Sequence, residues 1–213
     1  MIIRRDLVQG TMEWLEARAG IITASEFDQL VTPKFELRTG SMPRSYLAAK
    51  IAEAWMGAPL DGFGSWAMDQ GTILESEALP WLELELDLPA PIERVGLCMT
   101  DDKRVACSPD GLIGNIGVEA KCPQPKAHCS YLLAGKVPEE YLPQIHCSLY
   151  VTGFQEWKFV SYRRHSPNLI LAVERDEAIQ ETIAEAIALF LSKFDAGMKR
   201  MEEINGGPAP KRT

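Results

Sequence analysis

Apolar residues recur along this chain either with the 3.6-residue period of a helix or with the two-residue period of a strand. Each change of period predicts the start of a new element. Over residues 1–31 the apolar positions follow helical spacing, which predicts two helices. Thr11 is placed to cap the first helix and Thr23 the second, and Glu26 follows Thr23 by three residues as in a capping box. Helical spacing returns in later segments: residues 45–56, 66–86, 126–135, 139–152 and 176–203.

Period-two alternation is concentrated in the middle of the chain, where it predicts two successive hairpins. The second hairpin spans residues 108–121 and turns at Gly114-Asn115 and Gly117, because Gly and Asn tolerate the positive φ of tight turns. The other expected strands are residues 92–99, 103–108, 156–162 and 168–173.

The order of these elements predicts the fold class and the extent of the domain. Helices come first, then an antiparallel meander, a helix, two strands and a long helix, which is typical of a mixed α/β domain with a central mixed sheet flanked by helices. At 213 residues the chain is long enough for one core, so a single domain over residues 1–205 is expected. Residues 206–213 are rich in Pro and Gly and are predicted to be disordered.

Composition narrows the class of protein. No apolar run reaches membrane-spanning length, and five cysteines without Cys-x-x-Cys spacing predict reduced thiols in the cytoplasm rather than disulfides or a zinc site. His128, His146 and His165 lack metal-ligand spacing. The formal net charge of −8 is unlike that of a simple basic nucleic-acid binder, so bound DNA would depend on a concentrated minority of basic residues.

The second predicted hairpin carries the strongest chemical signal. Alternation along its second strand puts Glu119 and Lys121 on one face, and the turn brings Asp110 beside them. Two neighbouring carboxylates repel each other unless a cation lies between them, and Mg²⁺ prefers oxygen ligands of this kind. A lysine one step away can orient an attacking water, so the cluster has the groups needed to hydrolyse a phosphodiester. The alternative is a surface hairpin whose Glu–Lys pair has no chemical role.

Other residues support this cluster more weakly. Glu75 lies beside apolar positions of its predicted helix, where a carboxylate is costly unless it is paired or binds a metal. Ser25 is expected in a first helical turn, where Arg18 could complete a phosphate pocket. Tyr141 and Gln144 are three residues apart and share a helical face. On local sequence alone, a purely structural or surface role stays open for each of them.

Several of these residues occur in stretches that together resemble a known family. The stretches read EWLEAR, GIITASE, GTILE, ACSPDGL, EAKCP and YLPQI, at residues 13–18, 20–26, 71–75, 106–112, 119–123 and 141–145. In this order they resemble the phage lambda exonuclease / YqaJ-like viral recombinase family of PD-(D/E)xK nucleases. The resemblance implies an α/β fold with a restriction-endonuclease-like core.

The resemblance also implies catalytic roles for individual residues. Asp110, Glu119 and the backbone carbonyl of Ala120 would be metal ligands, and Glu75 would help to bind a second ion. Lys121 would orient the attacking water. Tyr141 would be the aromatic residue near the scissile phosphate, and Gln144 would be a further catalytic residue.

Two sets of substrate contacts follow from the same resemblance. The 5′-phosphate pocket would be formed by Arg18, Ser25, Ser108 and Gln144. The residues expected to contact DNA are Trp14, Lys34, Arg38 and Met68, with Met68 as the apolar wedge at the end base pair.

The activity implied by the family is processive 5′→3′ degradation of the 5′-ended strand of linear double-stranded DNA to mononucleotides. It leaves 3′ overhangs for recombination, and two Mg²⁺ ions per active site are implied, with Mn²⁺ as a substitute. The family also implies a ring-shaped homotrimer and a single-strand annealing protein as partner. The alternatives are a RecB-like or restriction-type endonuclease and a catalytically inactive DNA-binding protein.

Overall fold

The computed structural model of the protein describes residues 1–38, 44–60 and 66–209, and for residues 66–75 it describes the backbone alone. The helices are α1 (Met12–Arg18), α2 (Arg44–Met56), α3 (Trp66–Glu85), α4 (Pro125–Ala134), α5 (Leu142–Thr152) and α6 (Glu177–Asn205), with 3₁₀ helices at Ala24–Gln29 and Glu139–Tyr141. The strands are β1 (Ile2–Arg4), β2 (Ile22–Thr23), β3 (Leu97–Met99), β4 (Val105–Cys107), β5 (Gly111–Ile113), β6 (Ile116–Lys121), β7 (Glu156–Ser161) and β8 (Leu169–Glu174). Residues 210–213 of the predicted disordered tail lie outside the described residues.

The strands form two mixed sheets of four strands each. The first has the order β1-β3-β4-β2 and the second the order β5-β6-β7-β8. Each sheet contains one parallel pair, β2 with β4 in the first and β6 with β7 in the second. The predicted mixed α/β class with flanking helices is confirmed, but the strands form two mixed sheets where one central mixed sheet was predicted. The division into two sheets depends on long-range pairing, which local alternation does not specify.

Helix α5 determines where the two sheets meet. It packs against β3 and β4 of the first sheet, against β6 and β7 of the second, and against α6. Its side chains Ile145 and Leu149 are fully buried, and Gly153 ends the helix with a φ of 71°. Because Gln144 lies on α5 and Tyr141 directly precedes it, the position of α5 decides where these two side chains meet the second sheet.

The second N-terminal helix differs from the prediction. Ala24–Gln29 is a 3₁₀ helix, and the Thr23 hydroxyl donates to the Glu26 carboxylate at 2.6 Å instead of accepting from the backbone. Glu26 is also drawn to Lys50, whose Nζ lies 2.8 Å from its Oε2. Thr23 and Glu26 therefore bond to each other and to Lys50, and they do not form the predicted capping box. The predicted Thr11 cap of α1 is confirmed, since its hydroxyl accepts from the Trp14 N–H.

Helix α6 packs one apolar face on the rest of the molecule. Asp176 caps its start by accepting from the Ile179 N–H at 3.1 Å, and Ile183, Phe190 and Phe194 are buried against α2 and α5. Within the described parts of the chain, neither α6 nor any other helix combines the length and apolar character needed to cross a bilayer.

Gly117 allows close packing inside the second sheet and does not form the hairpin turn. It lies opposite Trp157 in the β6–β7 register, and a Cβ atom there would be 2.3 Å from the Trp157 ring. Gly114 has the positive φ of the turn, 59°, whereas Asn115 and Gly117 do not. The prediction that Gly117 serves the turn is therefore wrong, because the buried indole and not the backbone conformation requires glycine.

Replacing Gly117 with Ala should lower the free energy of unfolding by about 1–3 kcal/mol, because the Trp157 ring or the strand pairing must shift. Equilibrium unfolding in urea measures the change. Gly207→Ala is the matched control, since nothing lies within 4 Å of its Cβ position, and it should change stability by no more than about 0.5 kcal/mol. Equal unfolding free energies for the two variants would contradict the close-packing account.

Candidate active site

Strand β6 presents Glu119 and Lys121 on one face. Their Oε1 and Nζ atoms lie 2.6 Å apart, and the Glu119 side chain is only 5% exposed. A carboxylate this deeply buried is stable when a positive charge and hydrogen bonds compensate it. Lys121 provides that charge, so the alternation of β6 places an acid and a cation together at the end of the strand.

Asp110 is held against the same strand by two hydrogen bonds. Its backbone N–H donates to the Val118 carbonyl at 3.0 Å, and its Oδ2 accepts from the Ala120 N–H at 2.6 Å. The second bond is short, as expected for an ionised acceptor. The Asp110 carboxylate is therefore bonded to Ala120, the residue between Glu119 and Lys121. The hairpin thus brings all three charged groups together.

The Lys121 ammonium is held in its charged form between an acid and an aromatic ring. Burial acts to lower the pKa of Lys121, but the Glu119 carboxylate, with a smaller contribution from Asp110, outweighs burial and raises it. Nζ lies 5.1 Å from the centre of the Tyr141 ring, within cation–π distance. That ring stacks on the buried Phe159 at 5.5 Å between centroids, so the core fixes the surface on which Lys121 rests.

A cavity of about 380 Å³ opens beside Lys121. Its volume is within the usual range of small-molecule sites, roughly 300–1,000 Å³. The side chains that line it come from the 3₁₀ helix, from β6 and from the region where α5 begins. They are Ala24, Ser25, Asp28, Lys121, Glu140, Tyr141 and Gln144. Four residues that were predicted from distant parts of the sequence, Ser25, Lys121, Tyr141 and Gln144, thus share one cavity.

Arg18 joins this group through a direct contact with Ser25, and Ser108 is linked to Arg18 through Trp14. The Nη2 of Arg18 donates to the Ser25 Oγ at 2.9 Å, and burial lowers the pKa of Arg18 from its high ordinary value. The Trp14 indole N–H donates to the Ser108 Oγ at 3.1 Å, and the Trp14 ring centre lies 4.0 Å from the Arg18 Cζ. The predicted phosphate-pocket residues are therefore connected, and their role in binding phosphate stays a prediction.

The remaining predicted DNA contacts are less closely tied to the cavity. Lys34 is exposed on the loop after the 3₁₀ helix. The Nε of Arg38 donates to the carbonyls of Asp28 at 2.8 Å and Val31 at 3.2 Å, so Arg38 stabilises that loop. The side chains of Met68 and Glu75 lie outside the described residues, although both positions belong to α3. Their predicted roles, as wedge and as metal ligand, stay predictions.

An ionic cluster around the buried Lys50 holds together the segments that carry Arg18 and Ser25, and it was not predicted from the sequence. Lys50 Nζ lies 2.8 Å from Glu26 and 3.1 Å from Glu53, and the Glu53 carboxylate also accepts from the Gly20 N–H at 3.0 Å. The cluster links α2 to the turn after Arg18 and to the 3₁₀ helix that carries Ser25. The three-residue spacing of Lys50 and Glu53 is the local signal from which their pairing could have been found, but no local signal points to Glu26 as a partner.

Two acidic residues of the cavity were also missed. Asp28 and Glu140 line it together with Lys121, and the Tyr131 hydroxyl donates to Glu140 at 3.1 Å. Glu140 directly precedes Tyr141, so its position beside the site follows from the chain, and this adjacency was the available signal. Because carboxylates repel anions, Lys121, Ser25 and Gln144 are the lining residues suited to contact an anion.

The oxygen donors at the hairpin suit a hard divalent cation but form only part of a site. Among the side chains that the structure describes, no group of three or more His, Cys, Asp and Glu residues could hold a metal ion. Asp110 and Glu119 provide two carboxylates, which are ligands that Mg²⁺ prefers. Glu75, whose side chain is not described, is the predicted third acid. The residues present thus fit a Mg²⁺ site that needs further ligands.

Comparison with known proteins assigns the chain to a family. The model of the YqaJ-like viral recombinase domain matches residues 13–155, which include every predicted site residue from Trp14 to Gln144. No curated protein matches the chain. The solved alkaline exonuclease LHK-Exo from Laribacter hongkongensis, also solved with dAMP, is 28% identical with a TM-score of 0.80, over 92% of this chain and 98% of that one.

A second solved structure shares the fold at lower identity. A phage-related exonuclease from Haemophilus somnus 129PT is 11% identical with a TM-score of 0.61, over 85% of this chain and 96% of that one. At this identity the likeness concerns the fold alone. The match over most of the chain and the likeness to LHK-Exo agree with each other, and the chain belongs to the YqaJ-like viral recombinase family.

Proposed function

We propose that this chain is a Mg²⁺-dependent exonuclease that degrades the 5′-ended strand of linear double-stranded DNA in the 5′→3′ direction. It would release mononucleotides and leave 3′ overhangs. Family membership and the likeness to an alkaline exonuclease support a nuclease. The observation that carries the proposal is the position of Lys121, whose ammonium contacts the buried Glu119 and lines the cavity that Ser25 and Gln144 share.

Asp110 and Glu119 are the described side chains suited to hold the divalent ion, with the Ala120 carbonyl and Glu75 as the further proposed ligands. When bound, such an ion supplies Lewis-acid stabilisation of the phosphate charge and makes water a better nucleophile. We propose two ions per site, with Mn²⁺ as a substitute. The hydrogen bond from Ala120 N–H to Asp110 fixes one carboxylate before any ion binds, which reduces the reorganisation that binding requires.

Lys121 is proposed to orient the attacking water and to stabilise the negative charge that develops on the phosphate. Its ammonium has a fixed position, because Glu119 holds it on one side and the Tyr141 ring on the other. Positioned charges of this kind stabilise a transition state without reorganisation during the reaction. Tyr141, stacked on Phe159, would then maintain the distance between Lys121 and the substrate phosphate.

Arg18, Ser25, Ser108 and Gln144 are proposed to bind the 5′-terminal phosphate. Arg18 provides the positive charge, and the two serines and the amide provide hydrogen-bonding groups of suitable size. Because the pocket lies directly beside Lys121, a phosphate bound there sets which phosphodiester is cut. A separation of one nucleotide between the bound phosphate and the cut bond would explain release of mononucleotides.

Three further features belong to the same proposal. A homotrimeric ring that encloses the DNA would let a chain with net charge −8 concentrate its basic residues around the substrate. Such a ring would also make digestion processive. A single-strand annealing protein would take up the 3′ overhang, and the five free cysteines fit action in a reducing cytoplasm.

Digestion of linear duplex with each end labelled separately tests the proposed reaction. With Mg²⁺ we expect release of 5′-terminal mononucleotides, retention of the 3′-end label and no cutting of closed circular duplex of the same sequence. Chelation of the metal should abolish release. Nicking of the circle would instead favour a restriction-type or RecB-like endonuclease, and inactivity on both substrates would favour a DNA-binding protein without catalysis.

Replacing Lys121 with Ala should lower the rate of nucleotide release by about 10²–10⁴-fold, because it removes the positioned ammonium. End binding measured with Ca²⁺ should persist. Lys158→Ala is the matched control, since Lys158 pairs with Glu156 on β7 at 2.8 Å with the same two-residue spacing but does not line the cavity. Wild-type rates for the Lys121 variant would contradict its assigned role.

The phosphate pocket predicts faster digestion of 5′-phosphorylated ends than of 5′-hydroxyl ends. Arg18→Ala should reduce this preference about tenfold or more, since a hydrogen bond to a charged group contributes about 1.5–3 kcal/mol. Initial rates on matched duplexes measure it. Arg104→Ala is the control, because Arg104 also lies over an aromatic ring, that of Phe194 at 5.5 Å, but is paired with Asp195. An unchanged preference in the Arg18 variant would exclude Arg18 from the pocket.

A further inference from the structure

We propose that Trp14 is a positioning residue that orients Arg18 and Ser108 for the terminal phosphate and thereby sets the preference for phosphorylated ends. This inference rests on the proposed function, because it assigns Trp14 a part in the same phosphate pocket. It differs from the expectation that Trp14 contacts DNA directly. The Trp14 side chain contacts two separate pocket residues, Arg18 and Ser108, and is anchored by a third contact with the Gly96 carbonyl.

The indole N–H determines which way the Ser108 hydroxyl can donate. It lies 2.9 Å from the Gly96 carbonyl and 3.1 Å from the Ser108 Oγ. An indole nitrogen can only donate, so Ser108 must accept this bond. The Ser108 hydroxyl proton is then left to donate elsewhere, and an anion oxygen is the acceptor that such a proton suits. Trp14 thus prepares Ser108 as a donor.

The indole ring controls the plane of the Arg18 guanidinium. Arg18 Cζ lies 4.0 Å from the ring centre, the distance of a stacked cation–π contact. Stacking leaves the edge of the guanidinium available for in-plane hydrogen bonds, and Nη2 already donates to Ser25 Oγ at 2.9 Å. A rotated guanidinium would lose its bond to Ser25.

Trp14 itself is fixed well enough to act as such a support. Its backbone N–H is taken by the Thr11 cap of α1, and its side chain packs on the small core cluster of Leu7, Leu97, Met99 and Ala106. Gly96 precedes β3 and Ser108 follows β4, so both acceptors of the indole lie at the same end of this antiparallel pair. Trp14 therefore links α1, which carries Arg18, to the strand end that carries Ser108.

Two substitutions separate the hydrogen bond from the stacking. Trp14→Phe keeps an aromatic ring and removes the N–H, and Trp14→Leu removes both. The measurement is kcat and KM for nucleotide release from matched linear duplexes with a 5′-phosphate or a 5′-hydroxyl. We expect the ratio of kcat/KM for the two substrates to fall about fivefold in Trp14→Phe and roughly thirtyfold in Trp14→Leu.

Trp81→Phe is the matched control for the same chemical change. Trp81 is half-buried like Trp14, but its ring packs on Tyr162 at 5.6 Å between centroids, far from the contacts that Trp14 makes with Arg18 and Ser108 in sequence and in packing partners. Its ratio should equal that of the wild type. Melting temperatures of all variants show whether the fold is retained, and Trp14→Phe alone is sufficient for the test if Trp14→Leu does not fold.

Each outcome decides the inference. A role that is only structural, or a direct contact of Trp14 with DNA, would lower both rates by the same factor, and an unchanged ratio in the folded Trp14 variants would overturn the proposal. A wild-type protein that digests both ends equally would overturn it together with the phosphate pocket. A wild-type protein that releases no nucleotide from linear duplex would instead overturn the proposed function on which the inference rests.

Discussion

The hydrogen bond from the Ala120 N–H to the Asp110 carboxylate, at 2.6 Å, is the contact on which the arrangement of the site depends. Strand β5 pairs with β6 only as far as Val118, so beyond that point a side chain takes the place of a strand partner. Because this bond is charge-assisted, it is strong enough to hold Asp110 against β6. It thereby places one carboxylate beside Glu119 and Lys121, which the pleat of β6 already puts on a common face.

Charge compensation explains how an acidic chain can present a site for an anionic substrate. Glu119 is neutralised by Lys121, and the buried Lys50 is neutralised by Glu26 and Glu53. The two pairings have opposite consequences. In the Lys50 cluster the ammonium is paired with two carboxylates, and the cluster holds the backbone that carries Ser25. The Lys121 ammonium, in contrast, pairs with Glu119 and also lines the cavity. Under the proposed function, local pairing and not the net charge of −8 would therefore decide where a phosphate binds.

The residues of the site were predictable where their positions follow from local geometry. A strand has a period of two, so Glu119 and Lys121 had to share a face, and a short hairpin had to bring Asp110 near them. The contacts of Trp14 with Arg18 and Ser108, and the pairing of Lys50 with Glu26, depend on how separate elements dock, which no local pattern contains. For the same reason, the division into two sheets and the need for glycine opposite Trp157 emerged only from the structure.

The central claim is that Asp110 and Glu119 together hold a divalent ion beside Lys121. Anomalous diffraction from crystals soaked in Mn²⁺ tests this claim most directly, because it locates the ion without relying on activity. The account predicts an anomalous peak in contact with both carboxylates and next to the Ala120 carbonyl, and loss of that peak in Asp110→Asn. A crystal in which Mn²⁺ binds elsewhere, with no peak between Asp110 and Glu119, would contradict it.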